Sequence, residues 1–168
     1  MQPSEKFSYD IYRELLRRYP TGVTIVTAEH NRIDYGATIN SFTTISMNPP
    51  LIAVFIVTAS RTLSAILKSG KFVVNLLSGI QEEAARNFAA DGNVDKFLNS
   101  ETLRTETNIP FLKDSIGRIE CELYLNQEIA DHQMVVGKVT SCDVHNQSAS
   151  MIYYRRKFGA TQEESFND

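Results

Sequence analysis

The 168-residue chain has no tryptophan, only two cysteines, and few residues that break structure: five prolines and eight glycines. So little Pro and Gly excludes a disordered or fibrous chain. Cys121 and Cys142 are too few for a disulfide framework, so both are expected as reduced thiols. With histidines only at 30, 132 and 145 and no paired ligand motif, no metal site is expected. An excess of basic charge is missing too: 17 Lys and Arg against 20 Asp and Glu give a net charge of -3. That balance excludes a general nucleic-acid binder, which needs a basic face to neutralise phosphates. No apolar run is long enough for a membrane span, since the uncharged stretch 35–60 is interrupted by Asn40, Asn48, Pro49 and Pro50. The opening MQPSEKFSYD lacks the basic start and apolar run of a secretion signal, which makes the expected location cytoplasmic. Hydrolase, zincin, P-loop and Rossmann motifs are also absent.

What is present is a 42% hydrophobic share, enough for a sizeable core, in a length suited to one domain over 1–168. Phe7, Ile11, Leu15 and Tyr19 recur every fourth residue and predict a helix over 8–18, ended by Pro20 and Gly22. Residues 23–28 and 33–40 read as a β-hairpin turning near Asn31, and 42–46 either continues it or bends away from it. Residues 51–57 are apolar on both faces and predict a central strand. Ser60 as N-cap and Gly70 as C-terminal stop bracket a helix over 61–69. A strand over 71–77 and a helix over 81–90 follow. Residues 94–115 are polar and weakly periodic, and read as short helix and loop.

Residues 119–129 alternate strictly. Ile119, Cys121, Leu123, Leu125 and Ile129 are expected on one dry face, and 135–143 returns as the hairpin partner through Asp131, His132 and Gln133. A last strand over 151–154 precedes a charged tail. Seven or eight strands joined mostly by short links, with three helices between them, predict an α+β, mostly β fold. Its antiparallel strands are expected to close into a barrel that hides their edges.

Three segments invite chemistry. Small and hydroxylated residues crowd 36–42, where a strand should carry bulk. Gly36 permits a close approach, and the segment suits a flat polar heterocycle or a bulged strand end. The run Thr58-Ala59-Ser60-Arg61-Thr62 opens a helix, which reads as an anion site or as ordinary capping. His132, together with Tyr153-Tyr154-Arg155-Arg156, could meet a stacked anionic ligand or be plain surface and edge packing.

In sequence order, several blocks then carry a resemblance. They are Tyr19-Pro20-Thr21-Gly22-Val23-Thr24, Thr38-Ile39-Asn40-Ser41-Phe42-Thr43, Asn48-Pro49-Pro50-Leu51, Ser60-Arg61-Thr62-Leu63, Phe72-Val73-Val74-Asn75-Leu76, Ala85-Arg86-Asn87-Phe88, Ile119-Glu120-Cys121, Asp131-His132 and Tyr153-Tyr154-Arg155. The chain resembles the flavin reductase-like family with an FMN-binding split barrel, and in particular the reductase component of two-component flavin-dependent monooxygenases. The resemblance covers about 19–158. It departs from the family at Ala130, where Gly is common before Asp-His, and at Asn108-Ile109-Pro110.

The resemblance implies an antiparallel split β-barrel with Greek-key-like connections and peripheral helices. It assigns Thr38, Ile39, Asn40 and Ser41 to the flavin ring and ribityl chain, Ala59, Ser60 and Arg61 to the phosphate side, and Phe88 to the flavin's neighbourhood. His132 and Tyr153 match nicotinamide-binding positions. The implied reaction is hydride transfer from NADH or NADPH to FMN or FAD, with no catalytic residue beyond positioning. The implied partners are a monooxygenase component, reached by diffusing reduced flavin, and a second copy in a homodimer. A flavin-binding carrier or redox sensor on the same barrel is the competing reading.

Overall fold

The computed structural model describes residues 7–90, 95–145 and 147–162. Helix α1 (Tyr9–Arg17) starts where the period-four pattern predicts, with the Ser8 hydroxyl accepting from the Ile11 N–H. After the short β1 (Thr21–Gly22), β2 (Thr24–His30) and β3 (Ile33–Ile39) form the expected hairpin. Its two turn residues, Asn31 and Arg32, are both left-handed. Strand β4 (Thr43–Met47) pairs with the central β5 (Pro50–Val57). Helix α2 (Arg61–Ser69) is capped at the two predicted residues: Ser60 accepts from Leu63 N–H, and Gly70 takes φ 72°. Strand β6 (Lys71–Leu76), helix α3 (Glu82–Ala89), and the long ribbon β9 (Gly117–Ile129) with β10 (His132–Val144) complete the larger elements.

These strands form one seven-stranded antiparallel sheet in the order β3-β2-β6-β9-β10-β5-β4. The sheet curls until its far members meet. Just beyond β3, the Ser41 hydroxyl both accepts from the Phe55 N–H and donates to the Phe55 carbonyl of β5. The result is an open barrel, as the sequence pattern predicts. Inside it, Val26, Val54, Phe72, Val74 and Val135 meet Leu63 and Ile66 of α2, all nearly inaccessible.

Three sequence expectations need correction. Residues 102–112 are not featureless: β7 (Thr102–Arg104) pairs with β8 (Pro110–Leu112), whose three residues are all buried. Residue 94 itself lies outside the described residues. The charged tail contains a further strand, β12 (Lys157–Ala160), which hairpins onto β11 (Met151–Tyr154) and leaves β11 between it and β1.

The third correction concerns the alternating strand. The register of β9 on β10 slips between the Leu123–Gly137 and Leu125–Val136 pairs, leaving Tyr124 as a bulge residue. One extra residue flips every later side chain to the other face. Ile119, Cys121 and Leu123 therefore join the core, whereas Leu125 and Ile129 point outward, 48% and 45% exposed. The turn is also one residue earlier than expected. It is Ala130-Asp131, with Ala130 at φ 55° in the position where the resembled family often has Gly, so His132 begins β10.

The same slips separate the cysteines: Cys121 sits opposite Val139, and Cys142 opposite Ile119. Both are free. Burial pushes the Cys121 thiol up to about 12, and the Glu120 carboxylate adds to the effect. The folded protein thus keeps that proton at pH values where the unfolded chain releases it. This contribution to stability is complete below the ordinary thiol range and fades as pH rises through it toward 12. With a thiol reagent at pH 8, the exposed Cys142 is expected to react at once and Cys121 only on unfolding. Two fast equivalents from native protein would contradict the buried assignment.

Candidate functional site

An open cavity of about 670 Å³ lies between β3, the end of β5, the start of α2 and the end of α3. Its position follows from local sequence. In α3, Ala85 and Phe88 are one turn apart and form the buried side. The Thr38 hydroxyl of β3 donates to the Ala85 carbonyl at 2.7 Å, which locks helix to strand. The Cδ1–Cε1 edge of the Phe88 ring then abuts Gly36, where a Cβ would stand 2.3 Å from its Cε1. The close approach that Gly36 permits is therefore made by this ring. Phe97 meets Phe88 edge-on at 4.8 Å, and the two rings give the cavity an aromatic wall.

The opposite wall is polar. Val57, Ala59, Ser60, Arg61 and Thr62 carry the chain out of β5 into the first turn of α2. A helix start presents N–H groups and partial positive charge, which favours an anion, and Arg61 adds a full charge. A second cation, Lys96, also lines the cavity and donates to the Phe88 carbonyl at 3.0 Å. At the rim, Asp34 is held by a two-pronged bond from Arg104 at 2.6 and 3.1 Å.

Five of the eight residues proposed for the cofactor converge here: Thr38, Ala59, Ser60, Arg61 and Phe88. The other three stand elsewhere. Ile39 is buried in the barrel core. Asn40 lines a second cavity of about 220 Å³ with Val23, Phe42, Leu76 and Met151. The Ser41 hydroxyl donates to the Phe55 carbonyl and accepts from the Phe55 N–H.

His132 pairs with Ile129 on one side and Val57 on the other, which puts it one strand from the cavity wall. Its Nδ1 is 2.8 Å from an Asp131 carboxylate oxygen, and this contact holds the Asp131 carboxyl below its ordinary range. The Thr58 N–H donates to the Asp131 carbonyl and ties the β9–β10 turn to the strand that leads into α2. Tyr153 packs against the cluster that contains Phe88, with its ring 5.2 Å from that of Phe158.

Sequence reasoning missed Tyr35, Lys96 and Phe97 in the cavity wall. The last two fall in the weakly periodic stretch, whose scattered apolar residues gave no pattern that singled them out. Among the described residues, no cluster of His, Cys, Asp or Glu could hold a metal ion, and no helix is long and apolar enough to cross a membrane.

The model of the flavin reductase like domain matches residues 16–162. The chain is 34% identical to a flavin reductase of Pseudomonas putida over 88% of its own length and 87% of that protein's. It is 30% identical to the reductase component of a 4-nitrophenol 4-monooxygenase/4-nitrocatechol 2-monooxygenase of Rhodococcus opacus, over 95% and 83% of the two chains. Among solved structures, a nitrilotriacetate monooxygenase component B from Mycobacterium thermoresistibile superposes with TM-score 0.88 at 27% identity, covering 95% of this chain and 89% of the other. An NADH:FAD oxidoreductase of Streptomyces globisporus, solved with NAD and FAD fragments, superposes with TM-score 0.87 at 26% identity, covering 98% and 99%.

Proposed function

The chain belongs to the flavin reductase-like domain family, and from that premise we propose that it is an NAD(P)H:flavin oxidoreductase that supplies reduced flavin to a partner monooxygenase. The observation that carries the reading is the 670 Å³ cavity, whose wall brings together five of the residues that the family resemblance assigns to the flavin. The cavity suits a flavin by size, by the Phe88–Phe97 wall for a flat ring, and by the α2 start with Arg61 for a phosphate. A flavin bound there, FMN or FAD, supplies the acceptor for a hydride from NADH or NADPH, so the protein needs no nucleophile or acid of its own.

What the residues do is bind, orient and exclude water. Phe88 and Phe97 keep one side of the cavity dry. Arg61 and the first turn of α2 hold the anionic arm. His132, steadied by Asp131, orients the nicotinamide at the cavity edge, and Tyr153 supports the wall from behind Phe88. The reduced flavin leaves by diffusion through the open mouth. The protein works as a single-domain cytoplasmic homodimer. The competing reading, a carrier or redox sensor, has no use for a nicotinamide position at His132.

Anaerobic mixing of protein, FMN or FAD, and NADH or NADPH tests the reading: the oxidised-flavin absorbance should bleach with at least one pair. No bleaching with any of the four pairs sinks it. Within it, Arg61→Ala is expected to raise the flavin Kd by about 10- to 100-fold, the range of a lost charge-assisted hydrogen bond. His132→Ala should instead lower kcat/KM for the nicotinamide nucleotide by about two- to tenfold and leave flavin affinity in place. Loss of flavin affinity first would move His132 to the flavin.

A further inference from the structure

Hydride transfer changes the charge in the cavity. In the proposed reaction a nicotinamide C–H bond breaks, and the hydrogen carries its electron pair to the flavin ring, where a new N–H bond forms. The nicotinamide becomes a cation. The flavin ring, neutral when oxidised, gains one negative charge, spread over its N1 and C2-carbonyl edge. A cation fixed beside the ring stabilises the reduced state and the transition state more than the oxidised flavin.

Among the described residues two cations line the cavity, Arg61 and Lys96, and their surroundings differ. Arg61 stands at the α2 start, with the polar groups suited to an anionic arm. Lys96 belongs to the aromatic wall. The next residue, Phe97, carries one ring of that wall, and Lys96 Nζ donates at 3.0 Å to the carbonyl of Phe88, which carries the other. A bond to a neutral carbonyl positions the ammonium without cancelling its charge. Phe88 is the last residue but one of α3, so the same bond sets the ammonium at the negative end of that helix.

The acidic groups of the same cavity do not counter this placement. Asp34 is neutralised by the two-pronged bond from Arg104. Asp95 accepts from the Phe97 N–H at 3.1 Å and is exposed, so solvent screens its charge. Lys96 is half-buried, and a charge beside two aromatic rings reaches farther than the same charge in bulk water.

We propose that Lys96 is the charge partner of the flavin ring: its ammonium, held at the edge of the Phe88–Phe97 wall, balances the negative charge that hydride transfer deposits there, while Arg61 holds the anionic arm. The proposal rests on the reductase reading and adds to it the residue that tells reduced flavin from oxidised. A lysine that only capped α3 would change stability and would act on both flavin states alike.

Lys96→Gln and Lys96→Arg in the full chain test this, because both keep a donor for the Phe88 carbonyl and only Arg keeps the charge. Absorbance titration gives the Kd of oxidised flavin. Anaerobic equilibration with a reference dye gives the potential of the bound flavin, and hence the Kd of the reduced form. Lys96→Gln should raise the Kd of reduced flavin relative to oxidised by about tenfold, the range of a lost hydrogen bond to a charged group. For a two-electron couple that ratio lowers the bound potential by about 30 mV. Lys96→Arg should restore most of the difference. Equal weakening of both states would put Lys96 on the anionic arm and overturn the proposal. So would an unchanged potential, or a Lys96→Arg protein that behaves like Lys96→Gln. An unmodified protein that bleaches flavin, with a potential insensitive to Lys96, removes this proposal alone. One that binds no flavin in either state removes the reductase reading and this proposal with it.

Discussion

Replacing Phe88 by alanine is expected to lower the free energy of unfolding by about 3–5 kcal/mol, the range for truncating a fully buried aromatic. Phe88 is 1% exposed. Its ring makes a T-shaped contact with Phe97, its Cδ1–Cε1 edge abuts Gly36, and it belongs to the same cluster as Val23, Leu77 and Met151. Removing the ring opens the core onto the cavity, so flavin affinity should fall together with stability. Gly36→Ala attacks the same contact from the other side. The added methyl would stand 2.3 Å from the ring, and a ring held on its other side by Phe97 has little room to retreat. Overpacking of this kind costs about 1–3 kcal/mol. Urea denaturation of both variants, with flavin titration of each, checks the pair. A Phe88→Ala protein as stable as the parent would mean that the ring does not join core and cavity.

Asn75→Ala is expected to be nearly as damaging although Asn75 touches no part of the cavity. Its side chain is fully buried on β6. Its Nδ2 donates to the Ile25 carbonyl at 2.8 Å and to the Thr27 hydroxyl at 3.2 Å, while its Oδ1 accepts from the Leu112 N–H at 2.8 Å. The Thr27 hydroxyl in turn donates to the Pro110 carbonyl. This network staples β8 to the outside of the barrel. Alanine would strand the Leu112 N–H in a dry site, and each buried polar group left unpaired costs about 1–3 kcal/mol. The summed loss should be about 3–5 kcal/mol, which for a chain of this size lowers Tm by roughly 10 °C. A drop under about 3 °C would show that water replaces the lost partners.

Much of the molecule was legible because its determinants are close in sequence. Ser60, the apolar period of 61–69 and Gly70 define α2 within eleven residues, and helix and caps fall where those signals put them. The hairpin of β2 and β3, the apolar run of β5 and the period of α1 are local in the same sense. The polar side of the cavity was readable for that reason: Ala59, Ser60 and Arg61 stand at a helix start, which is a local feature. Their family resemblance rested on the same short blocks.

The amino-acid sequence by itself therefore determined the elements whose signals are local, the mostly β class and the helix start that lines one side of the cavity. The tertiary structure alone decided the rest. Period two in 119–129 predicted one dry face, but a bulge at Tyr124 turned Leu125 and Ile129 outward, because register is fixed by the partner strand and not by the strand's own pattern. Ser41 reads as a ligand residue until the barrel closes and offers it the backbone of Phe55, fourteen positions away. Gly36 reads as room for a ligand until α3 folds back and fills that room with Phe88. Residues 102–112 carry too little periodicity to announce a hairpin, and they form one where Asn75 and Thr27 supply its hydrogen bonds. In each case the deciding contact joins residues far apart in the chain, and its energy exists only once the fold has brought them together.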